Sequence, residues 1–151
     1  MKICLLSITY PPDDYEGISR QRYTLASELA KRGHEVHVVT LGVFKNNYYQ
    51  DGVLVHKVNL VRGVCLQNQA LSNFINQSYS LYEGLANIQM SFDVVDIPLW
   101  SAQPIIPQLY YESNIIIWLQ TTLWQILRIY QREPYDYEKI LINLEQFCIN
   151  K

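Results

Sequence analysis

The sequence lacks the features that mark several broad classes of protein. Its 151 residues hold three cysteines, Cys4, Cys65 and Cys148, which are too far apart for a metal-binding or disulfide pattern. We expect these thiols to be buried and reduced. No apolar run approaches the length of a membrane span, and no run of Lys and Arg accompanies the net charge of −2. These absences argue against a metal centre, a nucleic-acid partner and a membrane-spanning protein.

Signals for export and for phosphate binding are missing as well. The first residues contain one Lys and an apolar run that is too short for a signal peptide and lacks a cleavage site, so a cytoplasmic location is expected. No GxGxxG or GxxxxGKS/T motif follows that run. An unrelated nucleotide-binding α/β protein is therefore the least favoured interpretation.

What is present is a strand–helix–strand pattern over residues 2–40. A short apolar run at residues 3–8 ends before Pro11 and Pro12, as expected of a buried parallel strand. A helix predicted over residues 18–31 stops at Gly33, and a β-branched run follows it. Such a unit is a right-handed βαβ crossover, which starts a doubly wound sheet. The helix is expected to bury one stripe, made of Ile18, Leu25, Ala26, Leu29 and Ala30.

The rest of the chain continues to alternate strands and helices. Gly84 marks the place where a long helix could break, Ser101 could cap the next helix, and Pro107 is expected to kink that helix. Residues 42–51 are predicted to be a polar loop, closed by a hairpin-like Asp51-Gly52. The predicted strands are residues 53–58, 92–97 and 114–119, and the predicted helices are residues 67–89 and 123–130 and one capped by Asp136. That last helix is expected to bury Tyr137, Ile140, Leu141, Leu144 and Phe147. We therefore predict one domain over residues 1–151, a three-layer α/β fold with a mainly parallel sheet.

Several of these segments resemble one enzyme family. The segments are Tyr10-Pro11-Pro12 after the first strand, Gly17-Ile18 at the start of the helix, residues 32–36 (RGHEV) after it, and the DVVDIPLWSAQ segment that begins at Asp93. Together they resemble the amino-terminal domain of family-four retaining glycosyltransferases. The resemblance implies the Rossmann-like amino-terminal, acceptor-side half of a GT-B fold. It also implies a nucleotide-sugar donor, which such enzymes bind mainly in a second domain.

Candidate site residues follow from the loops beyond the carboxyl ends of the strands, where ligands bind in open α/β sheets. The resemblance places Glu16 where the family usually has the first glycine of a Gly-Gly pair, and Gln120 where it commonly has a histidine. Trp100 could stack on a sugar, although packing at the edge of the core is favoured. No catalytic residue is assigned, and no metal ligand. The candidate substrate-binding residues are Glu16, Gly17, Ile18, Asp96, Trp100, Gln120 and Thr121.

The histidines do not replace the missing group. His34 follows the end of the first helix, His37 is expected to point outward from the second strand, and His56 lies in the third. For each of them we expect a structural role.

Two functional hypotheses remain. The first is sugar transfer from a nucleotide sugar to a small-molecule or glycan acceptor, with the donor-binding domain supplied by another chain. The second is an inactive half-length pseudoenzyme or binding module, which Glu16, Gln120 and the absent second domain favour. A weaker hypothesis is peripheral membrane contact through a short helix, where Arg128 and Arg132 flank apolar residues. That face is expected instead to pack on the core or on a missing domain.

Overall fold

A six-stranded sheet forms the middle layer of the fold. The computed structural model describes all residues, Met1–Lys151. The strands are β1 (Lys2–Ser7), β2 (Glu35–Leu41), β3 (Asn46–Gln50), β4 (Val53–Val58), β5 (Val94–Pro98) and β6 (Ile115–Trp118). The helices are α1 (Gly17–Lys31), α2 (Gln69–Ala86), α3 (Ile105–Tyr110), α4 (Leu123–Ile129) and α5 (Asp136–Asn150), and a short 3-10 turn spans Trp100–Ala102.

The sheet order is β3-β4-β2-β1-β5-β6, and every pairing except β3 with β4 is parallel. Successive residues of β1 alternate between two apolar cores. Ile3 and Leu5 join the core beneath α1, and Cys4 and Leu6 join the core beneath α2. The prediction of a three-layer α/β domain with a mainly parallel sheet is confirmed.

The prediction of a loop at residues 42–51 is wrong over Asn46–Gln50, which form the antiparallel edge strand β3. Asp51 and Gly52 connect β3 to β4 with φ of 51° and 81°, the left-handed conformation that a tight hairpin turn requires. Tyr48 anchors the strand, because its hydroxyl donates to the Pro11 carbonyl at 3.0 Å. A polar strand thus forms because its partner strand and one tyrosine hold it in place.

Gly84 does not break α2, which runs unbroken from Gln69 to Ala86. A Cβ atom at position 84 would lie 2.5 Å from Val39 Cγ1 and 3.0 Å from Val58 Cγ1. The glycine therefore lets the helix approach β2 and β4 closely, which is a packing role.

The polar face of α2 also fastens the irregular segment at residues 59–68. The Asn76 side chain bonds both backbone groups of Val64, accepting from its N–H at 2.8 Å and donating to its carbonyl at 2.9 Å. Ser80 and Ser72 accept from the N–H groups of Val61 and Leu66, each at 2.8 Å. Side chains of α2, and not a neighbouring strand, thus bond the backbone groups of Val61, Val64 and Leu66.

Predictions for the second half of the chain need further corrections. Ser101 does not cap α3, which starts at Ile105, so Pro107 lies in the first helical turn and causes no kink. The N-cap of α5 is Tyr135 and not Asp136. The buried face of α5 is offset from the predicted stripe, because polar side chains that find partners are also buried. That face comprises Glu138, Leu141, Glu145 and Cys148.

Two single-residue predictions are also wrong. His37 points inward and is buried, since it packs against Phe92 and stacks on His56. Cys65 is exposed, whereas Cys4 and Cys148 are buried as expected.

The short helix α4 leaves most of its apolar side chains outside the core. Trp124, Ile129 and Tyr130 are exposed, and only Leu127 is buried. These three residues therefore do not pack on the core, and the alternative expectation, that this face packs on another domain, stays a prediction. No helix combines the length and the apolarity that crossing a bilayer would need.

Candidate functional site

The site follows from the direction in which the chain leaves the central strand. β1 pairs with β2 on one side and with β5 on the other. The chain passes from β1 through α1 to β2, and it returns to the other side of β1 only with β5. The loops after β1 and β5 therefore separate at the carboxyl edge and leave a crevice, the place where open α/β sheets bind ligands.

A cleft of about 500 Å³ occupies this position. We call it the switch-point cleft. Its walls come from the end of β1 and the loop after it, the first turn of α1, the middle of α2 and the 3-10 turn after β5. Its lining comprises Ser7, Ile8, Thr9, Asp14, Glu16, Gly17, Ile18, Phe74, Gln77, Trp100, Ser101 and Gln103.

Two side chains of this lining carry buried polar atoms without a protein partner. Ser7 is 0% exposed and Gln103 is 2% exposed, yet Ser7 Oγ and Gln103 Oε1 have no hydrogen bond. The backbone of Gln103 is fixed, since its carbonyl accepts from Ser78 Oγ at 2.8 Å. Buried polar atoms nearly always have partners, so these two groups mark a place where a ligand or water completes the bonding.

The start of α1 presents two carboxylates at the mouth of the cleft. Asp14 Oδ1 accepts from the Glu16 N–H at 2.8 Å, and Ser19 Oγ donates to the carbonyls of Asp14 and Glu16 at 2.9 and 3.1 Å. Glu16 is the N-cap residue, but its side chain makes no capping bond. A Cβ atom at Gly17 would meet nothing within 4 Å. The rim is therefore fixed by its backbone, with open space beside the glycine.

Phe74, Trp100 and Ser101 also line a smaller cavity of about 230 Å³, whose other lining residues include Leu123, Leu141 and Glu145. The residues after Trp100 have left-handed backbones, with φ of 57° at Ser101 and 52° at Ala102. Non-glycine residues rarely adopt this conformation, and where they do the surrounding structure must hold them.

Glu145 of α5 provides part of that support. It is buried, its carboxylate accepts from the Leu123 N–H at 3.0 Å, and it lies close to the backbone of Ser101. Burial raises the pKa of Glu145, and the backbone groups of Leu123 and Ser101 oppose this change. One carboxylate thus ties the loops after β5 and β6 to the last helix, behind Trp100.

The structure brings four of the predicted site residues together and separates the other three. Glu16, Gly17, Ile18 and Trp100 line the switch-point cleft. Gln120 and Thr121 follow β6 and do not line it; Gln120 Oε1 is buried without a partner, and Thr121 is exposed. Asp96 does not line it either, because its side chain points to the α1 side of the sheet and pairs with a buried arginine.

That arginine, Arg22, was not anticipated from the sequence. It is fully buried on α1, donates through Nη1 to Asp96 Oδ1, and lies 5.0 Å from the centre of the Trp118 ring. Its Nε and Nη2 atoms have no hydrogen-bond partner. Its position beside the apolar stripe of α1 was the only sequence signal that Arg22 is buried. Arginine is rarely buried, so the pattern alone predicts an exposed side chain. Ser7, Gln77 and Gln103 of the cleft were also not predicted as site residues.

Two other places are weaker candidates. A surface groove of about 950 Å³ beside β2 and β4 is larger, but Lys57 Nζ and Asp13 in it already pair at 2.7 Å, and no buried unpartnered side-chain atom lines it. His37 and His56 lie on the face of the sheet that α2 covers, where His37 Nδ1 is 2.9 Å from His56 Nε2. No cluster of three or more His, Cys, Asp or Glu residues is arranged to hold a metal ion.

The sheet order and the cleft at its switch point define a Rossmann-like domain. No protein-family model matches the sequence, and a comparison with curated proteins also finds no match. Among solved structures, sucrose-phosphate synthase from Thermosynechococcus elongatus aligns with a TM-score of 0.67 and 12% identity over 99% of this chain. The chain spans 40% of the length of that synthase. The glycotransferase of kitacinnamycin aligns over 86% of this chain and 34% of its own length, at 12% identity and a TM-score of 0.48.

Proposed function

We propose that the chain is a glycosyltransferase-like domain in which the switch-point cleft holds the sugar acceptor. The observation that carries this proposal is the cleft itself, whose lining combines an aromatic side chain, Trp100, with Ser7 and Gln103, two residues that carry unpartnered buried polar atoms. A sugar has apolar faces that stack on an aromatic ring and hydroxyls that both donate and accept hydrogen bonds. The likeness of the fold to sucrose-phosphate synthase supports the same class.

The chemistry of transfer makes two demands, and the lining of the cleft suits one of them. An acceptor hydroxyl must be held against the anomeric carbon, which fixed hydrogen-bonding groups can do. Negative charge that grows on a leaving diphosphate must also be neutralised. No Lys, Arg or His lines the cleft, so its side chains cannot supply that charge. We therefore propose that transfer from a nucleotide sugar requires a separate donor-binding domain that contributes cations.

A second candidate function is an inactive sugar-binding module. The observation in its favour is that Asp14 and Glu16 place two carboxylates at the start of α1, where a helix dipole would otherwise favour an anionic group. Gln120 also favours this candidate, because it stands where the resembled family commonly has a histidine and its amide cannot carry a positive charge. The two candidates share the sugar-binding cleft and differ only in turnover.

Binding tests the shared part. The purified chain should bind simple hexoses, detected by ligand-observed NMR, and Trp100→Ala should weaken that binding by about tenfold or more through lost stacking. The matched control is Trp124→Ala, because Trp124 is also exposed but lies on α4, outside the cleft. A chain that binds no hexose, or equal losses in the two variants, would contradict the proposal.

Turnover separates the two candidates. Release of nucleotide from a nucleotide sugar should be measured with the chain alone and after addition of a donor-binding domain. Activity that appears only in the combination supports a transferase half. Hexose binding without activity in either mixture supports the inactive module.

A further inference from the structure

From the charges and hydrogen-bonding groups of the switch-point cleft, we infer that it selects an uncharged, hydroxyl-rich sugar over a phosphorylated one. This inference rests on the proposed function and adds the chemical class of the ligand. It concerns the charge that the cleft accepts and does not depend on whether the domain turns over.

The charged groups of the lining all carry one sign. Asp14 and Glu16 line the cleft, and no Lys, Arg or His does. Asp14 is held in place by the 2.8 Å bond that its Oδ1 accepts from the Glu16 N–H. The first N–H groups of α1 could attract an anion, but these two carboxylates lie at the same helix end and oppose it. A phosphate in the cleft would therefore meet like charge without a cation to offset it.

The unpartnered groups of the cleft favour the same ligand. Gln103 Oε1 is a buried acceptor that needs a donor, and carboxylates also only accept. Ser7 Oγ can donate or accept. Each sugar hydroxyl carries both a proton and lone pairs, so a hydroxyl that reaches one of these groups can pair with it whether the group donates or accepts. A phosphate dianion carries acceptor oxygens alone, so the phosphate group of an ester cannot pair with Gln103 Oε1, and only the hydroxyls that the ester keeps can do so.

Size and shape agree with a small sugar. The cleft of about 500 Å³ lies in the usual range for small-molecule sites, and Trp100 and Phe74 supply its aromatic surface. Trp100 is 36% exposed, so part of its ring is free to contact a ligand. The polar groups of Ser7 and Gln103 belong to the same lining as this ring.

The test compares each sugar with its own phosphate ester. Glucose and glucose 6-phosphate, and fructose and fructose 6-phosphate, are titrated into the full chain at physiological salt. The phosphorylated member of each pair should bind at least about tenfold more weakly. Phosphate esters that bind as well or better would overturn this inference and leave the proposed function standing. Failure of all four sugars to bind would overturn both.

A charge reversal on the rim tests the cause. Glu16→Lys should raise the affinity for the phosphate ester, relative to the free sugar, by about tenfold. Glu16 is exposed and its side chain makes no capping bond, so the variant should fold. Asp14→Asn is a milder second variant that should shift the ratio in the same direction. The matched control is Glu112→Lys, an equal change of charge on an exposed residue at the opposite, amino-terminal edge of the sheet. Equal shifts for Glu16→Lys and Glu112→Lys, or none at Glu16, would overturn the inference.

Discussion

Arg22 on α1 and Asp96 on β5 form an ion pair across the switch point of the sheet. The Arg22 side chain has no exposed surface and that of Asp96 is 16% exposed. Trp118 of β6 lies against the same guanidinium, 5.0 Å from its centre. Burial lowers the pKa of Arg22, and the Asp96 carboxylate opposes that change. The pair therefore ties the helix that follows β1 to the two strands on the other side of β1.

Removing either member of this pair should destabilise the fold strongly. Asp96→Ala leaves a buried guanidinium without its counter-charge, and we expect a loss of about 3–5 kcal/mol in the free energy of unfolding. Arg22→Met should cost less, because Asp96 keeps some contact with water. Urea denaturation measures both values, and the double variant should lose less than the sum of the two. Single losses below about 1 kcal/mol would show that the pair is solvated.

The pair of buried histidines should make stability fall as the pH falls. Burial, and secondarily His37, lowers the pKa of His56 to about 4, and burial also lowers the pKa of His37 despite the opposing effect of Glu35. An unfolded histidine titrates near 6.5, so between about pH 6.5 and pH 4 the unfolded chain binds more protons. The free energy of unfolding should therefore drop in this window, by about 3 kcal/mol for His56 alone.

Urea titrations near neutral pH and at about pH 5 measure the larger part of this drop, about 2 kcal/mol for His56. His56→Gln should fold and should show a shallower dependence on pH, since one titrating group is gone. Glu145, whose pKa burial raises, acts in the opposite direction at lower pH, so the difference between variant and wild type is the quantity to compare. An unchanged slope in the variant would contradict the prediction.

Two glycine substitutions should have opposite outcomes. Gly84→Ala places a Cβ 2.5 Å from Val39 Cγ1 and should destabilise by about 1–3 kcal/mol, because α2 must move away from the sheet. Gly17→Ala meets nothing within 4 Å and should change stability by no more than about 0.5 kcal/mol. Thermal denaturation measures both. Since Gly17 lines the cleft, any loss of hexose binding in the stable Gly17→Ala variant would report contact between ligand and backbone.

The three thiols should differ in reactivity. Cys65 is exposed, whereas Cys4 and Cys148 are buried; burial raises the pKa of the Cys4 thiol and raises that of Cys148 to about 12. A thiol reagent should modify Cys65 in the native protein and reach the other two only after unfolding. Cys65→Ser should abolish the native reaction. A second thiol that reacts without denaturant would show local opening near β1 or α5.

Much of this fold could be predicted because apolar periodicity reports which faces of a helix or strand are buried. The pattern located β1, α1, β2 and the edge where their loops open. It failed where polar side chains are buried, since Arg22, Asn76 and Glu145 have polar partners inside the protein. A pattern of apolar residues cannot see those partners before the fold is known.

The site could be predicted only in outline, for a related reason. Loops at the carboxyl edge were the expected place, and Gly17 and Trp100 do meet there. Asp96 also lies near the carboxyl end of its strand, but the pleat of β5 turns its side chain toward α1 and away from the cleft. Ser7 and Gln103 gave no signal, because only the three-dimensional packing leaves their polar atoms unpaired.

The central position of β1 also sets an order of events during synthesis. Ile3 can pair with Val36 soon after that residue leaves the ribosome, but its other neighbour, Val94, is made much later. Trp100, which follows β5 and lines the switch-point cleft, is synthesised later still. A nascent chain can therefore hold one finished flank of the sheet while its binding surface does not yet exist, and β1 must keep one edge unpaired, open to wrong partners, until translation reaches β5.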